Sequence, residues 1–273
     1  MRFFYLIITG LSHVLPIPVA RFVTRRIADF CYYTVYRKGR DAWISNIKLV
    51  FPEKGEREIK KLAREGFRNF AEFIYEFLLL PKINKRNLHK FMTPHGFEKV
   101  KKFMEEGKGV IIQTMHLGNW EWGAAFLSLS GCRLTVIALP YRSPWFVEYY
   151  RKRRETAGMR VVFLREAARE SIRVLRKGEM LALLGDRDFT GTGKEAEFFG
   201  KKVKIPAGGI ELARKLGSVL VPAFNVKERD GRYHVYFEPP LDVSRPDALE
   251  EWVRIMERYV RKYPAQWYLF EPL

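Results

Sequence analysis

The chain is poor in cysteine: Cys31 and Cys132 are the only two in 273 residues. Two cysteines build no disulfide framework, and neither stands in a CxxC or similar metal-ligand spacing, so a reducing compartment is the default. Also missing are GxSxG, HExxH and any acidic cluster of metal-ligand type. Those absences argue against the familiar serine-hydrolase and zinc-peptidase sites and call for no metal. No activated serine or cysteine is visible, so a covalent intermediate is not required. No unbroken run of about twenty apolar residues occurs, as a membrane-spanning helix needs. Acidic residues are outnumbered, 31 Asp and Glu against 49 Lys and Arg, for a net charge of +18. A charge of that size selects partners rather than folds: nucleic acid, anionic lipid head groups and acidic carrier proteins all suit it. The aromatic residues form no recognisable RNA-binding module.

What is present is a long, apolar chain. Hydrophobic residues make up 47%, which argues against disorder and suffices for one large α/β domain or two small ones. Residues 3–20, FFYLIITGLSHVLPIPVA, are largely apolar but broken by Gly10, Ser12, His13 and the Pro16–Ile17–Pro18 step. Arg21, Arg25, Arg26, Phe30, Tyr32 and Tyr33 follow, where a secretory signal would carry a small-residue cleavage site. The pattern predicts a helix over residues 1–26 lying in the membrane interface, with a basic collar against anionic lipid. The competing reading is a buried helix of the domain itself.

From residue 56 to 80 charged and apolar groups alternate at helical spacing until Pro81, and the helical character extends to about residue 94. Beyond residue 97 the rhythm changes. GVIIQTM (109–115), LTVIALP (134–140), RVVFL (160–164), MLALLGD (180–186), SVLVPAFNV (218–226) and YHVYFEPP (233–240) read as strands, with helical segments between most of them. This alternation predicts an α/β fold over residues 27–273, a mostly parallel central sheet flanked by helices. Ligands of such sheets bind beyond the carboxyl ends of the strands, where His116 and Asp186 stand.

His116 follows its strand directly in TMHLGNWEWGAA (114–125). Gly118 permits a tight turn, Asn119 is a good helix N-cap, and Glu121 falls in the first helical turn. A neutral histidine can take a proton from a hydroxyl, and a carboxylate on its other nitrogen fixes the tautomer and stabilises the imidazolium. The spacing therefore offers His116 as general base with Glu121 as partner. It also suits a structural histidine beside a turn, with Glu121 favoured only by the helix dipole.

A second constellation is LLGDRDFTGTGKEAEFFGKKVKIPAGGIELARKLG (183–217). DRDFT satisfies the pattern of phosphatases that form an aspartyl phosphate, but no paired acids for magnesium follow. TGTGKE departs from a phosphate loop, with Asp188 at the first glycine and Glu195 at the Ser/Thr. What remains is a polar loop at the sheet edge, with Asp186, Asp188 and Glu197 as its acids. Arg187, Lys201, Lys202 and Lys204 can meet a phosphate or pantetheine-linked donor, and Arg142, Arg154 and Arg165 are further candidate anion contacts. Trp120, Trp122, Phe126, Phe198 and Phe199 can line an apolar pocket, or simply pack a core.

In order along the chain, Arg40…Asn46…FPE (51–53), GKGVIIQTMHLGNWE (107–121), ALPYR (138–142), RETAGM (154–159), residues 183–224 and YPAQWYLFEPL (263–273) resemble the bacterial lipid A late acyltransferases. They more closely resemble the phosphatidylinositol mannoside acyltransferases. The resemblance covers most of the chain, and H-x4-E followed by D-R-D…F-F-G is its specific signature. Glu121 stands where glycerophosphate acyltransferases carry aspartate, and the acidic, apolar tail QWYLFEPL is nearer the mannoside branch. The resemblance implies a glycerolipid-acyltransferase-like fold and a peripheral or monotopic enzyme on the cytoplasmic face of the inner membrane. It implies transfer of a fatty acyl chain from acyl-CoA or acyl carrier protein to a hydroxyl of a glycolipid or lysophospholipid, with no cofactor, no metal and no nucleic acid. His116 would be the base and Glu121 its partner. The rival expectation, a basic lipid- or nucleic-acid-binding protein without catalysis, accounts for the charge but not for His116 and Glu121.

Overall fold

The apolar runs do become strands, and parallel pairing brings their carboxyl ends to one edge. The computed structural model describes residues 9–10, 14–139 and 143–273. In chain order the helices and strands are α1 (Ile17–Tyr33), α2 (Arg37–Val50), α3 (Glu56–Leu78), a single turn α4 (Leu88–Phe91), β1 (Met92–His95), α5 (Phe97–Glu105), β2 (Val110–Thr114), α6 (Trp120–Leu129), β3 (Leu134–Ala138), α7 (Pro144–Thr156), β4 (Arg160–Phe163), α8 (Leu164–Arg176), β5 (Met180–Leu184), β6 (Lys194–Phe198), β7 (Lys201–Ile205), α9 (Gly208–Leu216), β8 (Val219–Lys227), β9 (Tyr233–Phe237) and α10 (Ala248–Lys262). Seven strands form one sheet in the order β1-β9-β8-β2-β5-β3-β4. Every pairing is parallel except β8 with β9. The fold is α/β, with helices flanking a mostly parallel sheet.

Two segments differ from the sequence reading. The helical character does not run to residue 94: α4 ends at Phe91 and Met92–Thr93–Pro94–His95 pairs with β9 as an edge strand. A proline has no N–H for a ladder, and the edge is where a sheet tolerates one. Residues 194–205, read as loop, form the hairpin β6–β7. Phe199 and Gly200 at its turn have φ of 51° and 75°, the left-handed pair that a two-residue hairpin turn demands.

Close contacts divide the chain into two units. One comprises Leu80–Phe198 and Lys202–Met256 and holds the large sheet. Its core is Val110, Ile111, Met180, Leu181, Leu220, Val221 and Phe224 from the central strands, under helices α5, α6, α8 and α9. The other takes the chain through Leu79, Phe199–Lys201 and Glu257–Leu273. The expected boundary after residue 26 therefore falls inside the continuous helix α1.

The second unit is organised by α3. Trp43, fully buried, donates from Nε1 to the Trp267 carbonyl at 2.8 Å. Asn46 donates to the carbonyls of Leu269 (3.2 Å) and Glu271 (2.8 Å) and accepts from the Leu273 N–H at 3.1 Å. These bonds pin the carboxyl-terminal tail to α2 and join two ends of the resemblance that are far apart in sequence. Opposite them, α1 lies along α3. Arg25 pairs with Glu65 at 2.8 Å and Glu72 at 2.9 Å, Arg21 approaches Glu76 at 3.6 Å, and Asp29 accepts forked bonds from Arg64 and Arg68. Arg21 and Arg25, expected in a basic collar against anionic lipid, thus face acids of α3, while Arg26 is 64% exposed; a guanidinium beside a carboxylate is drawn to it rather than to solvent. The outward face of α1 is apolar instead, with Phe22, Ile27 and Phe30 exposed at 59%, 55% and 61%. Among the described residues no helix is long and apolar enough to cross a membrane.

The hydrogen bonds from Arg64 and Arg68 hold the Asp29 carboxyl well below its ordinary range, against a smaller opposing effect of burial. A depressed folded pKa means that this pairing stabilises fully above the unfolded value and is lost as pH falls below it. Because the arginines are part-exposed, Asp29→Ala is expected to cost about 2 kcal/mol at pH 7. Urea denaturation at pH 7 and below about pH 4 checks this: the gap to wild type should narrow at the acid end, and a gap independent of pH would refute the pairing.

Candidate active site

The β2–β5 register sets the geometry. Thr114 pairs with Leu184, and the Gly185 N–H donates to the Thr114 carbonyl at 2.8 Å. The chains then leave the sheet side by side, and His116 meets Asp186. The imidazole Nδ1 lies 2.8 Å from Asp186 Oδ1, while the His116 backbone N–H donates to Oδ2 at 3.1 Å. Burial pushes the Asp186 carboxyl up, but the imidazole opposite, its hydrogen bond and the Arg187 charge outweigh it, and the net shift is downward. An ionised carboxylate only accepts, so Nδ1 carries the proton, and in the neutral ring Nε2 presents its lone pair. The His116 side chain keeps 15% exposure, Asp186 only 3%. Nε2 has no hydrogen-bond partner among the described residues. Trp120 and Phe189 stand edge-on to the ring at 5.1 and 6.4 Å.

The turn that follows is held as firmly. Gly118 has φ of 65°, and a Cβ there would overlap the Asn225 carbonyl, so only glycine fits this approach. The Asn119 N–H donates to that carbonyl at 2.8 Å, and Asn225 Nδ2 returns a bond to the Asn119 carbonyl at 2.7 Å. Asn119 Oδ1 caps α6 through the Trp122 N–H at 3.0 Å.

The expected pairing of His116 with Glu121 is not formed. Trp120, the first residue of α6, faces the imidazole, and Glu121, about 100° further round the helix, faces α7. There Arg154 grips it from Nε at 3.0–3.2 Å and from Nη2 at 2.6 Å. Asp186, expected only to support a polar loop, takes the place assigned to Glu121. Asp188 serves the loop: burial pushes its carboxyl up, but the bonds it accepts from the N–H groups of Thr190, Gly191 and Gly193 and from the Thr190 hydroxyl together outweigh it, and the net shift is downward.

The remaining candidates are scattered. Trp122 packs on Phe91 and Tyr233, and Phe126 on Phe97 and Phe237; these rings are core, as their all-round apolar surroundings demand. Phe198 and Phe199 are also buried, and Phe199 lies against Trp267 and under Arg261. Lys201, Lys202 and Glu197 are exposed near the turn of the β6–β7 hairpin, with Lys201 bonded to the Leu273 carbonyl. At about 3.3 Å per residue, the turn lies a strand's length from Ile205, whose carbonyl is the end of β7 that approaches Gly193 in the Asp188 loop. Arg142 lies outside the described residues. Burial pushes the Cys132 thiol up to about 11, which keeps it protonated and a poor nucleophile.

A model of the family described as bacterial lipid A biosynthesis acyltransferase matches residues 1–273, the whole chain. The chain belongs to that family. Over 218 residues it is 25% identical to a phosphatidylinositol mannoside acyltransferase of Mycolicibacterium smegmatis, covering 77% of this chain and 71% of the relative. The protein of that name from Mycobacterium tuberculosis is 26% identical over 217 residues, 76% and 68% of the two chains. A lipid A biosynthesis palmitoleoyltransferase of Escherichia coli is 22% identical over 259 residues, 93% and 84%. This acyltransferase is therefore an enzyme, and the non-catalytic reading raised by its charge is set aside.

The Glu121–Arg154 clamp has side chains only 7% and 13% exposed. Removing one member of such a pair strands the other, so Glu121→Ala should lower unfolding stability by about 3 kcal/mol. Urea melts of Glu121→Ala and Glu121→Gln check this; wild-type midpoints for both would show that the clamp does not hold α6 to α7.

Proposed function

We propose that this acyltransferase moves a fatty acyl chain from a thioester, acyl-CoA or acyl carrier protein, to a hydroxyl of a glycolipid or lysophospholipid. The observation that carries the reading is the His116–Asp186 pair at the open edge of the sheet. Nε2 of His116 takes the acceptor O–H proton. The oxygen bonds to the thioester carbonyl carbon, the C–S bond breaks, and the imidazolium returns the proton to the departing sulfur. Asp186 holds the tautomer and offsets the positive charge that builds on the ring. The chemistry needs no cofactor beyond the thioester itself. The names of the relatives, mannoside and lipid A acyltransferases, support a glycolipid acceptor.

His116→Ala should retain the wild-type melting temperature and lose on the order of 10²–10⁴ in rate. Asp186→Asn should lose a large share of that, since an amide can hold the ring in the wrong tautomer. The assay is release of free thiol from palmitoyl-CoA with a bacterial lipid extract as acceptor, and mass spectrometry of the lipids identifies the acylated species. Full activity in well-folded His116→Ala would sink the mechanism.

Acceptors of this class reside in membranes, and the apolar outward face of α1 supports peripheral attachment to the cytoplasmic face of the inner membrane. With Arg21 and Arg25 paired inward, apolar insertion outweighs attraction to anionic lipid. Replacing Phe22, Ile27 and Phe30 together by serine should abolish flotation with phosphatidylcholine vesicles, whereas raising salt should leave wild-type flotation largely intact. Salt-sensitive binding that survives the triple replacement would place the contact elsewhere.

A further inference from the structure

The large sheet opens where a parallel sheet is ordinarily closed. β5 and β3 are interior strands, each paired on both sides, and such strands under helices are normally buried along their length. Their ladder stops at Val136 and Ala182, although β3 continues to Ala138 and β5 to Leu184. Burial changes at the same level. Leu134, Thr135, Met180 and Leu181 are buried, while residues 136–138 and 182–184 all keep part of their surface open. The two strands part over their carboxyl halves and leave a crevice.

Its walls are aliphatic throughout: Val, Ile and Ala from β3, Ala and two Leu from β5. Among the described residues of this unit, the exposed large hydrophobic side chains are Leu139, Leu164 and Phe189. Leu139 directly follows β3, Leu164 directly follows β4, and Phe189 lies in the loop after β5, 6.4 Å from the His116 ring. All three therefore stand at the carboxyl edge, at the mouth of the crevice. An open apolar patch at one edge marks a binding surface, and walls without a polar group suit an aliphatic occupant. Register sorts the side chains by face. Gln113 and Leu183 pair with each other and approach Gly209 of α9. Side chains alternate along a strand, so Val136, Ala138, Ala182 and Leu184 lie on the other face, with Thr114. The crossover from β2 through α6 to β3 runs across the sheet in the opposite sense to that from β5 through α9 to β8, and right-handed crossovers place α6 on this second face. Trp120 at the start of α6 stands against the imidazole. The smallest groups on this face of the crevice are Ala138 and Ala182, which strand rise and spacing place on the order of 10 Å from His116.

We propose that the crevice between the carboxyl halves of β3 and β5 holds the hydrocarbon chain of the acyl group being transferred, and that Ala138 and Ala182 set how long a chain it accepts. This deepens the acyl-transfer reading and rests on it. With the carbonyl carbon beside Nε2 of His116, the chain leads away past Phe189 and Leu184 and runs along Ala182 and Ala138. A larger side chain at either alanine stops a long chain and spares a short one.

Ala138→Leu and Ala182→Leu test it. In a packed core the added carbons would force strain; in an open crevice both variants should melt at the wild-type temperature. The ratio of kcat/KM for palmitoyl-CoA to that for octanoyl-CoA should fall roughly tenfold or more in each. Calorimetry gives a readout that needs no turnover: the affinity for myristate should fall relative to that for octanoate by a similar factor. A third arm holds palmitoyl-CoA fixed and compares lauroyl with stearoyl lysophosphatidylglycerol as acceptor, where the variants should keep the wild-type preference. Unchanged donor and fatty-acid ratios in both variants overturn the proposal. A clear drop in melting temperature overturns it too, since the site is then packed, and so does a shift in acceptor preference in place of donor preference. If wild type turns over no acyl thioester, on CoA or on carrier protein, the acyl-transfer reading fails by itself, and the myristate comparison still decides the crevice.

Discussion

The parallel pairing of β2 with β5 is the constraint on which the His116–Asp186 pair depends. Thr114 opposite Leu184 sets the register, and the Gly185 bond to the Thr114 carbonyl extends it one step past the sheet. From there His116 and Asp186, 70 residues apart, can only arrive together. The carboxylate takes both the ring Nδ1 and the backbone N–H of His116, so ring and main chain are fixed by one group. A one-residue slip would turn every side chain of β2 to the opposite face and dissolve the pair. The buried apolar residues of both strands, Val110, Ile111, Met180 and Leu181, stand against such a slip.

Around that pair the unit uses polar groups as fasteners. Asn119 and Asn225 exchange backbone and side-chain bonds across the turn after β2, and Glu121 with Arg154 ties the start of α6 to α7. Buried polar groups of this kind add little net stability, yet each is costly to strand. Their value here is positional: they fix the turn that carries His116 and the start of the helix behind it. The start of α6 is closed in the same way by its own Asn119 cap.

The amino-terminal unit solves a different problem. A helix with an apolar outward face needs something to hold it, and α1 is held by charge: its arginines and Asp29 are matched to acids and arginines of α3. Pairing the charges inward leaves Phe22, Ile27 and Phe30 outward, the reverse of an ordinary surface helix. The tail, from Trp267 to Leu273, is fastened to α2 by Trp43 and Asn46.

By itself the sequence determined the class of fold and the place of His116 at the end of a strand. Alternating strand and helix periods, six apolar runs and a histidine immediately after one of them are local signals, and local signals survive in a linear reading. The edge strand Met92–His95 and the hairpin of residues 194–205 escaped it because their pairing, not their composition, makes them strands. The partner of His116 escaped it for a deeper reason. Glu121 is near in sequence and Asp186 is far, but a helix turns each successive residue by about 100°, and a parallel sheet aligns ends that the chain separates. The same rotation that sent Glu121 to Arg154 left the place beside the imidazole open, and strand register, a property of the folded sheet alone, brought Asp186 into it.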